Sequence, residues 1–466
     1  MALKPPKALI LNPMKLDQFR LSQVRRVAAA WAILLARISF GVVVLLAPFR
    51  LRMVLVARPT PPVYADYTDF LLFASDIALL MTLVLWLISL ALAPRAVRFG
   101  PRHIWIPLVG LMLAGGISTV ASYDARLSAY HAIRLLALFW FYAFIVNEIH
   151  SPVWLFIPVG MQVVAQSIVA LAQFMKQQSV GLLALGELSL APSSSGVSVI
   201  ASGGARLLRA YGLTDHPNIL GGCLAFGLLL LLRACLRPSR RLAAWAAFLP
   251  GIAALVVAFS RSAWLAFAAG ALVIFTVELA YRRWANIRRG LWLAAACAVI
   301  VSAIILAYPR FFGMRLNAGN SFTGATQEQQ SIGQRIILVG ISVPILRDHP
   351  LTGVGLGAAP LALKAYYPSF DLNYEPPHWA LFDSALETGV LGAASYLALL
   401  IFPIYFFIRN ARKFASAPLV TAAFALLIGI TVVGFFDYYT WLLEPGRLWQ
   451  WLGWGFWAVV TERSRR

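Results

Sequence analysis

His378 follows Pro376 and Pro377 and stands at the mouth of an apolar run that begins with Trp379. An imidazole keeps a neutral fraction near pH 7, which is what a general base for a hydroxyl group needs. After two prolines at a helix start the same residue also serves as a cap or a solvent contact. Arg261 lies in the stretch Val256 to Trp264, between two apolar runs too long together for one membrane crossing. A cation at so tight a turn snorkels from a helix end, or it faces a wet cavity. Arg206 and Arg209 come just before Tyr211, Asp215, His216, Pro217 and Asn218. Asp215 and Pro217 have the signature of a helix start. A fresh helix N-terminus beside guanidinium forks also favours phosphate oxygens, so Arg209 and Arg261 together suit a pyrophosphate.

The remaining candidates are read with both of their alternatives open. Asp437, at the outer end of a late apolar run, is either an interfacial charge or a partner for an arginine or for His378. His216 and His349 each precede a proline and suit turns as well as chemistry, whereas His103, His131 and His150 read as inside or interfacial. Asp383 and Glu387 share one helix face. Glu387 lies about two and a half turns beyond His378 and roughly opposite to it, so it is not an obvious orienter of that imidazole. Gly353, Gly355 and Gly357 look like a phosphate loop only superficially, because no strand precedes them. Asp66 and Asp69 are spaced as an acidic pair can be around a divalent cation, but the reading carries no metal and no cofactor. Cys223, Cys235 and Cys297 lie in or beside apolar runs without metal-ligand spacing and read as packing residues.

The elements that must position these residues are membrane helices. The chain is 61% hydrophobic and 12% charged with a mean hydropathy of +0.78, far more apolar than a soluble domain. Runs of about 20 apolar residues fit helices crossing a hydrocarbon core, and no strand alternation suggests a barrel. The fold class is therefore all-α: a polytopic bundle of about twelve transmembrane helices. A net charge of +21 suggests nucleic acid in a soluble protein. Here it lies in short Lys/Arg clusters in alternate connections, which is the positive-inside signal and puts both termini in the cytoplasm.

By this reading residues 1–26 form a basic cytoplasmic segment rather than a signal peptide. Residues 27–308 hold the first nine spans, the second of them starting at Phe70, with an outer loop at 176–217. Residues 309–378 form a large outer loop before the tenth span, 379–460 hold the last three spans, and 461–466 form the tail. The outer loops read as mobile where they are Ser/Gly-rich, around Ser189 to Gly204, and as flexible over Asn317 to Gln334. Trp441, Trp449, Trp451, Trp454 and Trp457 read chiefly as an interfacial belt extended into a packed helix face, with membrane anchoring ahead of ligand stacking.

Taken in order, Arg209-Ala-Tyr-Gly through Asn218, Ser260-Arg261-Ser-Ala-Trp264, Asp348-His-Pro-Leu-Thr-Gly through Gly357, and His378-Trp-Ala-Leu-Phe through Gly392 resemble the O-antigen ligase and O-antigen polymerase superfamily of bacterial inner-membrane glycosyltransferases. One departure is visible: relatives commonly carry Asn after the histidine, where this chain has Trp379. The resemblance implies an undecaprenyl-pyrophosphate-linked glycan as donor, His378 as the base, and Arg209 and Arg261 as pyrophosphate ligands. Arg206, His216, Asn218 and Asp437 support them.

It also implies an active site on the periplasmic face of the inner membrane, amid membrane lipids and without nucleic acid. Transfer would be one inverting displacement onto a lipid A-core oligosaccharide. O-antigen polymerase and protein O-oligosaccharyltransferase are the alternatives within this chemistry, and a lipid-linked glycan transporter is the alternative outside it.

Overall fold

A backbone inside hydrocarbon has to satisfy its own polar groups, so apolar runs of this length fold as helices. The structure, a computed structural model, describes residues 13–238, 241–316, 325–370 and 372–465. The first twelve residues of the basic N-terminal segment, residues 317–324 of the large outer loop, and Arg466 of the tail therefore lie outside the described residues.

The first half contains α1 (Pro13–Leu46), α2 (Ala74–Leu92), α3 (Arg102–Val120), α4 (Ala125–Glu148), α5 (Val153–Lys176), α6 (Pro217–Cys235), α7 (Arg241–Val257) and α8 (Arg261–Ala280). The second half contains α9 (Trp284–Ala307), α10 (Pro309–Leu316), α11 (Ala325–Asp348), α12 (Ala359–Tyr366), α13 (Ala380–Arg409), α14 (Ala411–Ala415), α15 (Pro418–Phe436) and α16 (Glu444–Arg465). Among the described residues, ten of these helices have the length and apolarity to cross a membrane. The seventeen-residue α7 and the tryptophan-rich α16 bring the bundle to the expected size.

Several expectations change in the structure. The second span begins at Ala74, because Phe70–Phe73 is a strand, β2, paired antiparallel with β1 (Arg52–Val56). A second hairpin, β3 (Val199–Ser202) with β4 (Ala205–Leu208), occupies the Ser/Gly-rich stretch read as mobile. Glu187 organises the loop before it by accepting the backbone N–H groups of Val180, Gly181 and Leu182. Residues 325–334, read as flexible, are the start of α11. Of the reading of the α16 tryptophans the packed helix face holds and the lipid-facing belt does not: Trp449, Trp451, Trp454 and Trp457 are all buried, because α16 packs between α4, α6 and α15. The centre of the bundle is α6, 89% buried over its apolar window, and α9 at 11% is peripheral.

One membrane helix is broken. Gly389 in α13 has φ 67° and ψ −168°, a conformation that denies the local backbone its helical hydrogen bonds. The segment before α12 replaces them: Val354 N–H donates to Leu386 O at 2.9 Å, Gly355 N–H to Glu387 O at 3.0 Å, and Val390 N–H to Pro350 O at 2.9 Å. The approach is backbone on backbone. A Cβ at Gly353 would lie 2.4 Å from the Glu387 carbonyl carbon, and one at Gly389 would lie 2.2 Å from Leu351 O. The glycine run is therefore a clamp on α13, in keeping with its rejection as a nucleotide loop.

At the end of the bundle that carries the Lys/Arg clusters, buried carboxylates are paired. Glu148 meets Arg37, Arg95 and the Trp86 indole, and Glu278 meets Arg233 and Arg283. Burial makes such pairing obligatory. The opposite end of the bundle opens into a cavity.

Candidate active site

The cavity holds about 1420 Å³ and is walled by the first outer connection, the ends of α4, α6, α8, α13, α15 and α16, and the outer helices α10 and α11. His378, Arg209, Arg261, His216, Asn218 and Asp437 all line it. Arg206 does not: it is exposed on β4.

One wall is cationic. The tight turn between α7 and α8 has Phe259 at φ 49°, a strained value for an aromatic residue. Its carbonyls face outward to two guanidinium groups. Arg209 Nε donates to Ala258 O at 3.0 Å and Arg315 Nε to Phe259 O at 2.9 Å. Arg261 follows as the first residue of α8. Arg335 on α11 completes the wall and donates to Phe436 O at 3.2 Å.

Burial, then the neighbouring Arg209, Arg261 and Arg335, push the Arg315 guanidinium well below its ordinary value. Burial also lowers Arg209, with Arg335 and Arg261 adding to it. Guanidinium groups do not give up their proton in proteins. The crowding instead makes this wall a site of positive potential that a bound anion relieves.

Arg209 is fixed on three sides. Besides Ala258 it donates to Ser198 Oγ at 2.9 Å and to Asn218 Oδ1 at 2.7 Å. Asn218 in turn donates to Asp437 Oδ2 at 3.2 Å. His216 caps α6, its Nδ1 accepting Asn218 N–H at 3.1 Å. Asp215, expected at the helix start, instead pairs with Arg50 at 2.6 Å and Arg52 at 3.3 Å, because the helix begins at Pro217 and the preceding residue takes the cap. The backbone of the turn at Tyr211 to Leu213 is held by buried amides of α5: Gln173 Oε1 accepts from Tyr211 and Gly212, and Gln166 Oε1 from Leu213.

His378 sits between this wall and a carboxylate-rich side. Its ring lies 4.9 Å from the Tyr438 ring, and Tyr438 shares a 2.5 Å hydroxyl contact with Tyr67. Glu375 Oε2 stands 3.6 Å from His378 Nε2. Nδ1 is buried with no hydrogen-bond partner among the described residues. Burial pushes the His378 imidazole down to about 4, Asp437 opposing the shift and Arg335 adding to it, so at neutral pH the ring is unprotonated and can accept a proton.

Farther along the cavity Arg52 pairs with Asp66 at 2.7 Å, and Arg134 pairs with Asp76 at 3.0 Å and Glu444 at 2.5 Å. Asp69 accepts Arg58 N–H at 2.5 Å. Asp66 and Asp69 are thus each engaged by an arginine. No group of three or more His, Cys, Asp or Glu able to hold a metal ion occurs among the described residues.

The sequence reading missed Arg315, Arg335 and Glu375. His131, placed inside or at the interface, is half-buried on the cavity wall with Nδ1 3.3 Å from Arg447. Asp383 and Glu387 are not among the residues that line the cavity with His378; Glu387 accepts the Trp441 indole N–H at 2.8 Å. His349 sits near Tyr123 outside the cavity lining. Only the two prolines before His378 hinted that Glu375 would be rigidly placed.

A family model described as O-antigen ligase (Wzy_C) matches residues 245–397. The match spans about a third of the chain, and on that segment the chain is similar to the O-antigen ligase family. No curated protein matches the chain. The family indicates ligase- or polymerase-type glycan transfer with lipid-linked glycan substrates in general. The matched segment contains the α7–α8 turn, Arg261, Arg315, Arg335, the glycine clamp, Glu375 and His378. Arg209, Asn218, Asp437 and Tyr438 lie outside it and are brought to the same cavity by the fold.

Proposed function

We propose that this protein transfers a glycan from undecaprenyl pyrophosphate to a lipid A-core oligosaccharide at the periplasmic face of a bacterial inner membrane. The observation that carries the reading is the continuity of the arginine wall with lipid-exposed apolar side chains. Leu265 of α8, Ile336 of α11, and Phe435 and Phe436 of α15 line the same cavity as Arg261 and Arg335 and are 53%, 68%, 51% and 44% exposed. A ligand with an anionic head and a long apolar tail matches that surface. The Lys/Arg clusters at the opposite end of the bundle support a cytoplasmic location for both termini.

In this mechanism His378 takes the proton of an acceptor hydroxyl. The oxygen attacks the anomeric carbon as the bond from that carbon to the pyrophosphate oxygen breaks, and the lipid pyrophosphate leaves with the electron pair. Arg209, Arg261, Arg315 and Arg335 stabilise the charge that develops on it. A single displacement inverts the anomeric centre. Such a leaving group needs no strong general acid, and the reading uses no metal ion.

The test is reconstitution with lipid-linked glycan and purified lipid A-core. Transfer to the core, lost on His378→Ala and retained in excess chelator, is the expected result. Transfer only to another lipid-linked glycan would make the protein a polymerase, and full transfer by His378→Ala would end the base assignment. Arg261→Lys is expected to lose donor affinity, since a point charge cannot reproduce a bidentate fork.

A further inference from the structure

A base that is neutral at rest has to carry a positive charge once it takes the acceptor proton, and its buried position opposes that charge. The groups that face the imidazole come from four elements. Asp437 and Tyr438 follow α15, Tyr67 belongs to the first outer connection, Arg335 comes from α11, and His216 caps α6. Glu375 belongs to the strap that carries His378 itself.

At 3.6 Å the Glu375 carboxylate is too far from Nε2 for a good hydrogen bond to a neutral ring, and close enough for an ion pair with an imidazolium. The strap fixes this separation. Tyr374 is buried and donates its hydroxyl to Tyr367 O at 2.6 Å, and Trp379 at the other end caps α13. Between them Pro376 and Pro377 are both buried, and each proline ring locks its own φ. Glu375 and His378 are therefore a preset pair, although no helix joins them.

We propose that Glu375 is a positioning residue for His378, orienting the imidazole and balancing the imidazolium that forms when the acceptor hydroxyl gives up its proton. The inference rests on the reading of His378 as base. Nδ1 is buried with no hydrogen-bond partner among the described residues, so it keeps the proton of the neutral ring, and Nε2, beside Glu375, offers its lone pair to the acceptor hydroxyl. The acceptor proton moves to the ring, the ion pair with Glu375 forms, and the proton returns to water after the lipid pyrophosphate departs. Glu375 itself is pushed above the ordinary carboxylate range by burial and then by Asp437, a shift that an imidazolium beside it opposes.

The experiment compares Glu375→Gln and Glu375→Asp with the unaltered full chain, reconstituted with lipid-linked donor and saturating acceptor over a range of pH. Glu375→Gln is expected to lower the plateau kcat by about tenfold to a hundredfold, while the donor KM stays within about twofold. Its acid limb moves to lower pH, because an imidazolium without its anionic neighbour deprotonates more readily. Glu375→Asp keeps the charge and falls between the two in both rate and limb. A purely structural role would lower activity without moving the limb.

Unchanged kcat and limb in Glu375→Gln would overturn the inference, as would a rise in donor KM alone or an Asp variant as slow as Gln with its limb unmoved. Should Glu375→Gln not accumulate, the Asp variant's limb decides by itself. The base assignment fails separately: transfer surviving His378→Ala removes it. Inactive His378→Ala beside unchanged Glu375→Gln removes only the role of Glu375.

Discussion

Arg315 and Arg335 alter what Arg209 and Arg261 are asked to do. Arg209 already has Ala258, Ser198 and Asn218 as partners, so it forms the floor of the cationic wall and sets its shape. Arg315 stands against the same turn with three arginines acting on it, and in the proposed reaction it is the one that a bound pyrophosphate would relieve most. Arg315→Ala is expected to raise the donor KM by ~10- to 100-fold, the range for losing a charged hydrogen bond, with Arg315→Lys intermediate. Arg206→Ala is expected to change it little, since that side chain is exposed on β4. Steady-state kinetics with varied donor measures both. His378, Arg209 and Arg261 were legible in the sequence because each marks the edge of an apolar run, where a charged or titratable residue stands out. Arg315 and Arg335 were not, because an arginine in a polar stretch looks ordinary until the fold brings it against Phe259 and Phe436.

At the scale of elements, the apolar spans were readable because hydrocarbon leaves a helix as almost the sole option. The polar outer helices were not. Residues 325–334 of α11 include four Gln and show no apolar stripe of their own, and the helix is placed by packing on α12 and α13. The break in α13 was equally hidden, because it depends on a partner more than thirty residues earlier in the chain. Its cost can be measured. Gly389→Ala puts a Cβ against Leu351 O at 2.2 Å, and Gly353→Ala puts one against the Glu387 carbonyl at 2.4 Å, both at positive φ. Each is expected to destabilise by about 2–5 kcal/mol from left-handed strain and overpacking together. Gly313→Ala in α10 meets nothing within 4 Å and is expected to be neutral or slightly stabilising. Thermal unfolding in detergent distinguishes these outcomes. The clamp also anchors α13 below His378, so loss of transfer should accompany loss of stability in the first two variants.

Across the whole molecule the cavity has a direction. Its arginine wall adjoins the exposed apolar surface of α8, α11 and α15, while its far side holds Arg52 and Arg134 already matched by Asp66, Asp215, Asp76 and Glu444. An anion gains on the first side and meets balanced charge on the second. In the proposed reaction this assigns the lipid pyrophosphate to the arginine wall and leaves the carboxylate-lined side to a hydroxyl-rich acceptor, with His378 between them. The cavity can house the pyrophosphate and the sugars, but a polyprenyl tail belongs in the bilayer, and Leu265, Ile336 and Phe435 mark where it would leave. Replacing Leu265 and Ile336 together by Ser removes apolar contact from two side chains. At roughly 1 kcal/mol each for partial burial against the tail, the KM for a full-length polyprenyl donor should rise by about tenfold or more. A donor with a short prenyl chain never reaches that surface, so its KM should not change. If both donors weaken equally, the substitutions act on the cavity itself and the tail leaves by another route. If only the long one weakens, the opening beside α8 and α11 is the path by which the lipid brings its pyrophosphate to the arginines.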